Sequence, residues 1–210
     1  TYPDTNPDSV LQAPAISRAP VPVFRLMTTH QGSLVVGNIA DAPGLVMRSD
    51  PGFPGTFDAT QRVYPDSGGA EVTALTTHGG VLLAFTESSV YSLEDFGAPR
   101  PLSRSVGCVA PSSVAALPTG ELVWLGRKGF YSMRPGGPPQ LISAAINMTI
   151  RDDLNRGRMR MAVAAVSPET GEYRCAVAPA GTTRNTLMLV YDGSNFRRQT
   201  INHHIGGICS

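Results

Sequence analysis

The residues of this chain best able to do chemistry are four histidines, three cysteines, a run of arginines and a few acidic side chains in turn-rich segments. His30 and His78 each close a Thr-Thr-His triplet, and His203 and His204 are adjacent. Neutral imidazoles are good metal ligands. No acidic residue or cysteine stands beside these at ligand spacing, so they are expected to be turn residues. Cys108, Cys175 and Cys209 are far apart, odd in number and without a C-x-x-C spacing. That spacing indicates neither a zinc knuckle nor a disulfide framework and makes a reducing assembly compartment the default. Asp152 and Asp153 lie among arginines, where solvated ion pairing is the expectation rather than acid–base catalysis. There is no G-x-S-x-G, H-E-x-x-H or phosphate loop. The chain is therefore expected to be no enzyme, with no cofactor and no metal. Arg151, Arg156, Arg158 and Arg160 form the densest basic cluster. They are candidates for contact with a neighbouring subunit or with DNA phosphates, against the plainer role of an exposed linker helix.

The elements that hold these residues must be strands. Of 210 residues, 22 are glycine and 18 proline, while only 16% are charged, against roughly 25% in an average domain. Many short strands joined by tight turns have this composition, and helices do not. The net charge of +1 gives no global pull toward nucleic acid or an acidic membrane. Lys128 is the sole lysine, the other basic residues being arginines. No apolar run reaches the ~20 residues of a membrane-spanning helix, and the start of the chain has neither the basic nor the apolar stretch of a signal peptide.

Internal repetition gives the architecture. Thr28-Thr29-His30-Gln31-Gly32 aligns with Thr76-Thr77-His78-Gly79-Gly80, and weaker copies centre on Gly120 and Gly171. The four glycines are spaced by 48, 40 and 51 residues, in the range of propeller blades. A short apolar strand precedes each glycine and another follows, because a tight hairpin needs the positive φ that glycine adopts freely. Two further strands close each unit. The expected fold is all-β: a β-propeller or partial propeller of about four four-stranded blades, at 23–66, 67–110, 111–150 and 159–202. An extended, proline-rich arm at 1–22 lies ahead of them, and 203–210 reads as the start of a further strand or blade. A short helix is expected at 151–158, beginning nearer Ala144. Tyr91, Trp124, Phe130, Tyr131 and Tyr191 fall on strands and are expected in blade packing.

One stretch is more specific. Met47-Arg48-Ser49-Asp50-Pro51-Gly52-Phe53-Pro54-Gly55-Thr56-Phe57-Asp58 resembles a segment of β-propeller virion proteins of tailed phages, the tail nozzle and packaged-DNA stabilisation type. The similarity continues through 79–91, into the link Val106-Gly107-Cys108-Val109-Ala110-Pro111-Ser112-Ser113-Val114, and on to Gly126-Arg127-Lys128-Gly129-Phe130-Tyr131. It covers about 30–135. What it implies is a structural part of a phage tail or neck, assembled in the host cytoplasm. There it would form a homo-oligomeric, six-fold ring around the DNA channel, with portal, adaptor and other tail proteins as partners and DNA as a non-specific contact. The alternative is a glycan- or protein-binding propeller module. Ser49 and Asp50 also invite comparison with the sialidase Asp-box, but only Gly55-Thr56-Phe57 echoes its second half. Turn and capping roles are expected for Ser49 and Asp50, as for Gly32, Gly80, Gly120 and Gly171.

Overall fold

The computed structural model describes residues 18–19, 21–94, 96–201 and 203–206. It is 47% strand and 10% helix, in four antiparallel sheets. The first contains β1 (Arg18–Ala19), β2 (Phe24–His30), β3 (Ser33–Ile39), β4 (Ala42–Asp50) and β5 (Phe53–Val63). The second has β6 (Ala74–His78), β7 (Val81–Phe85), β8 (Val90–Ser92) and β9 (Arg100–Ser103). The third has β10 (Ala115–Ala116), β11 (Leu122–Gly126), β12 (Gly129–Met133) and β13 (Gln140–Leu141). The fourth has β14 (Val163–Val166), β15 (Tyr173–Val177), β16 (Leu187–Tyr191) and β17 (Phe196–Thr200). Each contains a four-stranded up-and-down meander (β2–β5 in the first, where β1 adds at the β5 edge), so its first and third turns lie at one rim and its second turn lies with the inter-sheet links at the other.

The first turn of every sheet carries its glycine in the left-handed region, at φ 76, 77, 80 and 68° for Gly32, Gly80, Gly120 and Gly171. Gln31 and Gly79 also have positive φ. Two consecutive residues in that region make a turn whose twist matches the strands it joins. The second strand of each sheet is buried on both faces, because alternate side chains serve different seams. In β7, Leu82 and Ala84 pack against the first sheet with Val35 and Val46. Leu83 and Phe85 pack the other way, with Leu122 and Trp124 of the third sheet. Val123, Leu125 and Phe130 then meet Tyr173, Cys175 and Leu187 of the fourth. Four sheets thus stack face to face in chain order, the packing of successive blades.

The links are pinned by a repeated pair of hydrogen bonds. Leaving the first sheet, Val72 N–H donates back to Pro43 O (2.9 Å), and Thr73 N–H donates forward to Phe85 O (2.7 Å). Leaving the second, Cys108 N–H donates back to Thr86 O (2.9 Å) and Val109 N–H forward to Leu125 O (3.0 Å). Backbone runs so close to backbone here that a Cβ on Gly107 would sit 2.2 Å from Thr86 O.

Three expectations are refined. The segment expected as one short helix is helical without a break from Ala144 to Asp153, changing pitch between the turns Ala144–Ile146 and Thr149–Asp153, and a further turn follows at Arg156–Met161. Leu154 interrupts them in extended conformation, forming a bridge with Pro179, while Asn155 N–H donates to Ala178 O at 2.9 Å. Docking on the fourth sheet wins over continuing a helix. The arm expected at 1–22 lies mostly outside the described residues; Arg18–Ala19 pairs with Phe57 and Asp58 as an edge strand of the first sheet. Of 203–210, the described part (203–206) holds no strand, and Ile205 N–H donates to Asn185 O at 3.0 Å.

Candidate functional site

The arginine cluster divides between two places. Arg151 lies in the Thr149–Asp153 turn, and its Nε donates to Asp152 at 2.8 Å. With Arg156 it lines an open groove of about 430 Å³ whose other walls include Arg127, Lys128 and Leu141. Arg127 is itself paired with Glu87 at 2.6 Å. The sequence brought out only one side of this groove, because Arg127 and Lys128 sit in the β11–β12 turn and reach it through sheet stacking. Arg158 is exposed nearby. Asp153 pairs with Arg198 of β17 at 2.8 Å.

Arg160 points elsewhere. Its Nη2 lies 3.0 Å from Glu71 Oε1, a contact across 89 residues that joins the entrance of the fourth sheet to that of the second. Glu71 also accepts from Asn38 Nδ2 at 2.8 Å, and Asn38 donates to Val72 O as well. The Asn38 bond, with help from Arg160 and Arg25, holds the Glu71 carboxyl below its ordinary value. Asn38 sits where the β3–β4 register shifts, and its φ of 53° is one that asparagine tolerates better than most residues. A cavity of about 320 Å³ opens beside Glu71, Glu87, Thr73 and Arg160. Two of its hydroxyls are engaged: Thr73 Oγ1 donates to Cys108 O at 2.7 Å, and Thr86 Oγ1 accepts from Ser89 N–H at 3.0 Å. The cluster therefore fastens three parts of the chain together. Asn38 and Glu71 escaped the sequence reading; the Gly37-Asn38 pair within an apolar run was their only signal.

His30 and His78 occupy matching places at the first-turn rim, both buried. Thr77 Oγ1 donates to Thr29 O at 2.8 Å and lies 3.3 Å from His30 Nδ1. The Gly120 carbonyl stands beside His78. Each histidine thus rests on the first turn of the next sheet. His203 and His204 are at the opposite rim, where His204 Nδ1 accepts from Asn185 N–H at 3.0 Å. Among the described residues no three side chains of metal-binding type come together.

Ser49 is buried in β4: it accepts from Leu34 N–H at 2.9 Å and its hydroxyl faces Asp50 O. Asp50 precedes the Pro51-Gly52 turn, and Gly52 N–H donates to Gly32 O, tying the two turns together. Burial pushes the thiols of Cys108 and Cys175 up to about 12, which leaves them unreactive; Cys209 lies outside the described residues. The five strand aromatics are all buried, and Trp124 Nε1 donates to Gly107 O at 3.1 Å. No helix among the described residues is long and apolar enough to cross a membrane.

No protein-family model matches the chain, and no curated protein matches it. Among solved structures it is similar to BBS1N, a propeller, in the crystal structure of BBS1N in complex with ARL6DN. The identity is 11% and the TM-score 0.54, over 89% of this chain and 57% of that one. The chain spans little more than half the length of the propeller it matches. With four face-packed, four-stranded meanders, the first two links between them pinned alike, this protein is a partial β-propeller of four blades.

Proposed function

We propose that the protein is a non-catalytic assembly module that works through contact with other protein chains. The observation that carries this reading is at Ile205. Its N–H bonds back to the second-turn carbonyl of blade four, as Val72 and Cys108 do on leaving blades one and two. In those links the next residue, Thr73 or Val109, docks on the following blade. The segment around Ile205 thus has the geometry of a link directed at further β-structure beside blade four. The Glu71 cluster, which fastens blades one, two and four to one another, fits a role in which the fold itself is the working part. The BBS1N–ARL6DN complex supports protein binding as a use of this architecture.

The narrower reading follows from the resemblance of residues 30–135 to phage virion propellers. In it the protein is a structural component of a tail or neck, assembled in the host cytoplasm. It would form a homo-oligomeric ring with tail, portal or adaptor proteins, and the Arg127, Lys128, Arg151 and Arg156 groove would be available to an acidic neighbour or to DNA. Light scattering and electron microscopy on the purified chain, followed by antibody labelling of native particles, test the two levels separately. Ring-shaped assemblies and label on a tail are the expected results. A free monomer that binds glycans on an array would replace the assembly reading. Assembly without label on any particle would remove only the virion placement.

A further inference from the structure

The two Thr-Thr-His turns share a chemistry that packing alone does not use. The Thr77 hydroxyl has one proton and gives it to Thr29 O, so toward His30 Nδ1 it can only accept. Nδ1 of His30 therefore carries the ring proton, and Nε2 is a bare acceptor. That Nε2 is buried with no hydrogen-bond partner, and so is Nε2 of His78. For His78 this leaves Nδ1 to face the Gly120 carbonyl. Each ring is neutral, fixed in one tautomer, and wedged between its own blade and the first turn of the next. A proton arriving at either Nε2 would create a buried N–H without an acceptor and a charge without a counter-ion.

The surroundings do not relieve that charge. Facing His30 from its own blade is the Arg48 guanidinium, held by Gln61 Oε1 and lying over the Phe96 ring. From blade two the polar group in contact with it is the Thr77 hydroxyl, and Arg48 is the charged group that acts on it. His78 borders a small cavity with Glu94 and Arg100, which are paired with each other at 3.2 Å. Burial is the larger cause, for both rings, of a proton affinity below that of free imidazole. The third seam contains its own control. By strand register the residue that matches His30 and His78 in blade three is Leu117; its neighbour Pro118 would meet a Cβ on Gly171 of blade four at 3.3 Å, and neither has anything to titrate.

We propose that His30 and His78 make the seams between blades one and two and between blades two and three acid-sensitive, so that uptake of a proton loosens the first-turn rim while the third seam stays shut. The sign follows from linkage: both rings are neutral in folded and unfolded chains above pH 6.5, and below it the unfolded chain takes up protons first. Hydrogen exchange on the full chain at pH 7.5 and 5.5, corrected for intrinsic rates, reads the seams one by one. Protection at 28–34 and 75–82 should fall about tenfold, and protection at 167–172, on the far side of the third seam, should hold. In the His30→Gln/His78→Gln variant the pH dependence should vanish. Equal loss at all seams, no loss, or a loss that persists in the variant would each overturn the proposal. Should that variant fail to fold, an NMR titration of the wild-type rings decides: imidazoles that titrate at or above the ordinary value, or that carry the neutral-state proton on Nε2, would overturn it too.

Discussion

Two glycines show how differently the same residue type can be used. Gly80 has φ 77° and nothing within 4 Å of the place its Cβ would occupy. Substitution there is opposed by backbone strain alone. Gly80→Val should cost about 2 kcal/mol, since a left-handed conformation costs roughly 1–2 kcal/mol for an ordinary residue and β-branching adds to it. Gly107 has an ordinary φ but lies under the backbone of the β7–β8 turn, with Thr86 O, the Glu87 carbonyl carbon and Ser88 N all within 2.5 Å of a Cβ. Gly107→Ala should therefore cost more, about 3 kcal/mol or above, because rigid backbone must move. Urea denaturation of both variants checks the order; an alanine at 107 that unfolds at the wild-type midpoint would contradict the close approach. The turn glycine was legible because its chemistry is local. Gly107 was not, because what demands it is a turn some 20 residues away, known only once the link has crossed the blade.

At the level of elements, hairpins were legible and seams were not. The apolar runs on either side of each turn glycine became the first two strands of each blade, since strand pairing across a tight turn is set by neighbouring residues. The long, bulged β5 and the broken turns between Ala144 and Met161 are shaped by partners distant in sequence: Arg18–Ala19 for the one, Pro179 and Ala178 for the other. The turn Pro111–Ser113 is a case where such partners give a peg its strength. Ser113 Oγ accepts from Leu125 N–H at 2.9 Å and faces Ala110 O at 2.7 Å, and Tyr173 OH donates to Ser113 O at 2.7 Å. One serine thus connects the link, blade three and blade four, all in buried surroundings. Ser113→Ala leaves the Leu125 N–H without an acceptor, and an unsatisfied buried group costs about 1–3 kcal/mol. For a chain of this size that is a fall in Tm of roughly 2–4 °C per kcal/mol, measurable by calorimetry. An unchanged Tm would show that the peg is dispensable.

For the molecule as a whole, acid should act in two stages because its titrating groups fall into two sets. The buried histidines lose their contribution first, as pH drops below 6.5. The carboxylates held by partners come later. Glu71 is lowered chiefly by the Asn38 bond and Glu172 chiefly by Arg197, both from an ordinary value of 4.5. Asp58, Asp152 and Asp192 are lowered from 3.8 by hydrogen bonds, to Thr60, to Arg151, and to Asn195 with Ser194. A carboxyl whose folded value lies below its unfolded one stabilises the fold above the unfolded value and ceases to do so as pH falls through the folded value. Most of these carboxylates are exposed, where each pair contributes little. Glu71 differs in place more than in strength, because its partners belong to blade one and to the entrance of blade four. Its protonation releases a tie that spans the wheel. Tm followed from pH 8 to 3 should therefore show a plateau, a first decline that the His30→Gln/His78→Gln variant abolishes, and a second below about pH 4.5 that the variant retains. In Glu71→Gln the second decline should be shallower, while the first is kept. If one variant removed both declines, the histidine rim and the Glu71 cluster would be a single unit, and the seams could not open independently of the tie between blades two and four.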